Sequence, residues 1–151
     1  MAEYVTTSDQ NVALNNPILF NAVSIPCNKG SVIPSAPGVL TLRGNTPNKF
    51  ARYRVALSAN VQIPTGGAVT PIALGITLNG VPLPESVAII TPQAVAEYQH
   101  IYTEVTVTVP SCCCFNVSAA YVEGTEDDAT VTGTPAITVR KAASLSVERV
   151  A

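Results

Sequence analysis

Tryptophan is absent from this 151-residue sequence, histidine and methionine occur once each, and charged residues make up only 12% of the chain. An ordinary soluble protein carries about 25%. Eight basic and ten acidic residues with a single histidine leave few groups for proton transfer, so an enzyme is the minority expectation and no catalytic residue, cofactor or metal site is assigned. Apolar runs of the roughly 18 to 20 residues that a membrane helix needs are also missing, and no membrane partner is expected. The opening Met1-Ala2-Glu3-Tyr4-Val5 has no basic-then-apolar export pattern. Synthesis in the cytoplasm and reduced thiols are therefore the expectation for the four cysteines. Lysine and arginine do not gather with aromatics: Met1 to Arg54 holds five basic and two acidic residues, while Glu85 to Asp128 holds seven acidic and no basic ones. Arg52 and Arg54 are the only close pair in a strand-like run, and no nucleic-acid partner follows.

Hydrophobic residues make up 47% of the chain, which excludes disorder. A surface so poor in charge also implies that part of it is covered by other copies. Apolar side chains recur at every second position in Ala51, Tyr53, Val55, Leu57, Ala59, Val61 and Ile63, a long half-buried strand ended by Pro64-Thr65-Gly66-Gly67. Ile72, Leu74, Ile76 and Leu78 repeat the alternation into Asn79-Gly80, a two-residue hairpin signal with a return strand from Val81 to Leu83. Further strands are expected at Pro17 to Ser24, Val39 to Leu42, Ser86 to Ile90, Tyr98 to Val109, Cys113 to Val122, Ala129 to Val131, Ala136 to Val139 and Ser144 to Val150. Pro92 to Tyr98 is the only helix-like patch and is too short for more than a turn or two. The pattern predicts an all-β sandwich or jelly roll at residues 17–151, preceded by a polar, poorly patterned arm at residues 1–16.

Cys112-Cys113-Cys114 places its thiols on alternate faces of a strand, so the three do not chelate one ion. Buried small hydrophobes, a disulfide from Cys27 to one of the three, and thiols of several copies meeting at an axis are the readings left open. Tyr98, His100 and Tyr102 form an aromatic, partly polar row that Glu104 continues, a candidate subunit contact. Glu123 to Asp128 is an acidic hairpin tip without the alternation of a calcium loop. Tyr121 beside it is the one aromatic placed for a sugar. Gly66, Gly67 and Gly80 belong to turns, because no helix with the lysine of a phosphate-binding loop follows them.

Several phrases in order carry a likeness: Arg52 to Leu57, Asn60 to Gly67 (NVQIPTGG), Pro71 to Pro82 (PIALGITLNGVP), Thr91 to Tyr98 (TPQAVAEY), Val107 to Cys113 (VTVPSCC) and Val147 to Ala151 (VERVA). Ile18 to Pro26 (ILFNAVSIP) fits an opening strand. Together they resemble short phage- and prophage-encoded proteins with a C1q/TNF-like jelly roll. The resemblance implies a compact homotrimer displayed on a virion, as capsid decoration or head-fibre knob, with a receptor-binding module on a tail or cell surface as the alternative. Tyr98, His100 and Tyr102 then become trimer-interface candidates. The collagen-like stalk common among animal relatives is missing here, so attachment to the capsid falls to the arm or to one end of the globular body, with Glu3, Tyr4 and Val5 as docking candidates and Lys29, Arg43 and Lys49 as the arm's basic flank.

Overall fold

The computed structural model describes residues 2–27, 30–36, 38–66, 69, 71–122 and 136–150. Strict alternation makes Phe50–Gln62 (β6) the longest strand, with its odd-numbered side chains buried in the core. Its length lets it pair on one side with the whole of Gln99–Pro110 (β10), from Val61↔Gln99 to Phe50↔Pro110. On the other side it pairs with Ser144–Arg149 (β13) and Ile137–Val139 (β12). Ala2–Val5 (β1) lies beside β13, Ala22–Ile25 (β3) beside β1, and Gln10–Val12 (β2) beside β12, which completes the first sheet.

The second sheet runs Val32–Ala36 (β4), Val39–Arg43 (β5), Cys114–Val122 (β11), Ile72–Leu78 (β7) and Val81–Pro82 (β8), with Ala88–Ile90 (β9) also on β7. All pairings are antiparallel, and a single cluster from Tyr53 and Leu57 to Leu74, Ile76 and Tyr121 fills the space between the sheets. Asn79 and Gly80 take positive φ of 51° and 84°, so the hairpin turn forms as its residues require.

A single turn of 3-10 helix, Pro84–Ser86, closes the gap between β8 and β9. Here the fully buried Ser86 hydroxyl accepts the Ile76 N–H at 2.9 Å and donates to the Leu83 carbonyl at 2.7 Å, so Ile76 finds a partner where no strand reaches it. Beyond Val117, where β5 departs, residues 15–18 take up the edge of β11: Asn15 N–H donates to Tyr121 O at 2.7 Å and Ile18 N–H to Ala119 O at 2.8 Å.

Within the segment expected as an arm, β1 and β2 are woven into the first sheet. Ala2 and Tyr4 point into the core, and an alternation only four residues long is too short to stand out from polar sequence. The segment expected as a short helical patch, Pro92 to Tyr98, forms bends and turns. The strand expected at Ala129 to Val131, the acidic tip Glu123 to Asp128, and Lys29 lie outside the described residues.

Candidate functional site

The outward rungs of β10 and β6 pair His100 with Asn60, Tyr102 with Ser58, Glu104 with Ala56 and Thr106 with Arg54. On the next strand Ser144 lies opposite Ser58 and Ser146 opposite Ala56. These four small residues lower the floor of a recess of about 260 Å³, and Tyr102, Glu104, Arg54 and Glu148 stand around it. Tyr102 is 55% exposed, a large aromatic left in solvent beside these small residues.

On this face one guanidinium lies between two carboxylates. The Arg54 guanidinium donates to Glu148 Oε2 at 2.9 Å and lies 3.9 Å from Glu104 Oε2. Glu104 also accepts the Tyr102 hydroxyl at 2.8 Å, and this bond raises the pKa of the phenol. His100 Nδ1 is 3.1 Å from the side-chain amide oxygen of Asn60, so a neutral group orients the ring. Among the described strands β10 pairs with β6 alone, leaving a twelve-residue edge with one row of backbone donors and acceptors open.

Tyr98 does not share the row of His100 and Tyr102. It precedes β10, half-buried, with the Arg140 guanidinium 5.4 Å over its ring. Of the three expected docking residues, Tyr4 is buried at 4% exposure and its hydroxyl pKa is raised by desolvation. Glu3 and Val5 are half-exposed opposite Ser146 and Ser144, so they extend the outer face of the first sheet instead of forming an arm.

Cys112, Cys113 and Cys114 are exposed free thiols, a correction to the expectation that they are buried or joined to Cys27; Cys27 is half-buried against the core. Their exposure follows from a tight turn, closed by Cys113 N–H to Pro110 O at 3.1 Å, in which Cys112 takes a φ of 65°. Gly44 makes the turn possible: a Cβ there would lie 2.0 Å from the Pro110 carbonyl oxygen. Tyr121, expected beside a sugar site, is fully buried in the core. The recess itself had no sequence signal beyond the polar face of β6, since Ser144 and Ser146 arrive from a strand some 90 residues away.

No protein-family model and no curated protein matches the chain. Among solved structures it is similar to the globular domain of zebrafish complement 1qA protein, with a TM-score of 0.53 and 8% identity over 96% of this chain and 94% of that one. Likeness at that identity is a likeness of fold, and the molecule has the C1q/TNF-like jelly-roll architecture.

Proposed function

We propose that this chain is a non-enzymatic structural protein of a phage virion, a capsid-decoration or head-fibre subunit that assembles as a homotrimer through the outer face of its first sheet. The observation that carries the reading is the uncovered face itself: Tyr102 exposed beside a floor of Ala56, Ser58, Ser144 and Ser146, next to the open edge of β10. A threefold ring joins two different patches of each copy, and an aromatic wall beside a recess of small residues supplies two such patches. Interfaces of this obligate kind bury about 2,000 Å² or more, enough to account for a surface with so little charge. The virion assignment draws on the phrase-by-phrase likeness to phage proteins and on the jelly roll. Arg43, Lys49 and Arg149 near the chain termini form the end that docks on an acidic shell.

Light scattering on the purified chain tests the assembly. The expected mass is three times 15.7 kDa, and Ser58→Arg, which fills the recess, gives a folded monomer. A wild-type monomer at every concentration overturns the reading. Electron microscopy of intact particles tests the location: regular copies on the capsid lattice support it, whereas copies confined to the tail tip replace it with the receptor-binding module.

A further inference from the structure

The chain termini lie beside the start of β6, where Arg149 pairs with Tyr53. At the other end of that strand three connections converge: Thr7, Ser8 and Asp9 after β1, Tyr98 before β10, and Arg140 with Lys141 between β12 and β13. They line an open concavity of about 650 Å³, a size within the roughly 300 to 1,000 Å³ of small-ligand sites.

Backbone contacts fix its walls. Arg140 N–H donates to the Asn60 carbonyl at 2.9 Å, and Lys141 N–H donates to Asp9 Oδ1 at 2.7 Å. The Tyr98 ring under Arg140 occupies one face of the guanidinium and leaves its in-plane N–H donors for another partner. Among the described residues no carboxylate lies within ion-pair distance of Arg140 or Lys141, in contrast to Arg54, which has two. Two adjacent cations, neither in an ion pair among the described residues, therefore line a concave surface whose one carboxylate, Asp9, is held by the Lys141 backbone N–H.

We infer that this concavity binds an acidic saccharide, a sugar that carries a single carboxylate. Arg140 and Lys141 take the carboxylate by charge-assisted hydrogen bonds. The remaining groups decide between a sugar and a bare anion. Thr7 and Ser8 offer hydroxyls, and Asp9 keeps an oxygen that accepts from a ligand hydroxyl while its charge opposes a multiply charged phosphate. A polyol with one negative charge uses every one of these groups. The inference goes beyond the virion reading and stands without it; in the proposed trimer, three such sites lie at the end away from the chain termini.

An amide-resolved NMR titration of the full chain with 3′-sialyllactose tests it, with lactose, sodium acetate and hexaglutamate as comparators. Saturable shifts are expected at Thr7 to Asp9, Tyr98, Arg140 and Lys141, with lactose and acetate each at least about tenfold weaker. Arg140→Gln is expected to weaken binding about tenfold and Lys141→Gln about threefold, since a charge-assisted bond is worth roughly twice a neutral one. Lys141→Gln leaves the Tyr98 stack intact, so it keeps the test decisive if Arg140→Gln folds poorly. The inference is overturned by no saturable shift up to about 20 mM, or by lactose or acetate binding as tightly as the acidic sugar. Hexaglutamate binding more tightly overturns it in favour of an acidic peptide.

Discussion

Burial along β6 alternates residue by residue, whereas β7 is buried at six consecutive positions, Ile72 to Thr77. Both strands are central in their sheets and both carry apolar residues at every second place. What differs is the other side of each. Between its core residues β6 carries Arg54, Ala56 and Ser58, over which none of the described residues folds. Behind Ile72, Leu74 and Ile76, β7 carries Ala73 and Gly75, small enough for Val87 to pack across Ala73, Ala120 and Val122. Part of one sheet is covered by its own connection, and over this part of the other the described residues place nothing.

Gly75→Val against Thr108→Val is the sharpest way to break this contrast. A Cβ at Gly75 would lie 3.2 Å from Val87 Cγ2 and 3.5 Å from Val122 Cγ2, and two further methyls have no space to enter. Overpacking of this kind costs about 1 to 3 kcal/mol. Thr108 on the open face of β10 is exposed, and its change to valine stays within about 0.5 kcal/mol. Urea denaturation of both variants gives the comparison; equal losses would mean that the second sheet is not closed over.

The two sides were unequally legible in the sequence. Period-two spacing placed β6, β7, β10 and β11 within a residue or two, because each is long and its core side is strongly apolar. The same signal failed for β1, β2 and β4. Each has five residues or fewer, and β4 contains a proline at Pro34. Burial of both sides of β7 was not legible, since Ala73 and Gly75 reveal nothing until Val87 is known to fold back on them. The recess at Ser58 and the stack of Arg140 on Tyr98 depend on strand order, which local periodicity does not encode.

Tyr53 and Tyr102 bring the contrast within the first sheet. Tyr53 is fully buried and its hydroxyl donates to the Arg43 carbonyl; burial is the main cause that raises its pKa above the ordinary 10.0. The folded chain therefore holds this proton longer than the unfolded one does. Its contribution is complete below pH 10 and is lost as pH rises through the folded value. Tyr53→Phe is expected to cost about 1 kcal/mol near neutrality, the net worth of one hydrogen bond. It should also flatten the decline of stability above pH 10. Tyr4, raised by burial in the same direction, leaves some decline in place. Thermal melts at pH 8 to about 11 read both effects, and an unchanged decline would remove Tyr53 as its cause.

The smallest effect lies on β11, which crosses from uncovered to covered within one strand. Cys114 and Asn116 face solvent, whereas Ala120 and Val122, on the same side further along, are buried beneath Val87. If cover and not sheet identity sets the cost of a substitution, the open part of β11 should behave like the open face of β10. Asn116 accepts the Thr41 hydroxyl at 2.9 Å across the strands, an exposed bond that competes with water. Its backbone N–H keeps its acceptor, the Asn79 side chain at 3.0 Å, when the Asn116 side chain is shortened. Asn116→Ala is therefore expected to cost about 0.5 kcal/mol, in the range of a single cross-strand pair. Chemical denaturation decides the matter: a loss of about 2 kcal/mol or more, the scale of a buried group left without its partner, would show that position within the second sheet matters independently of cover.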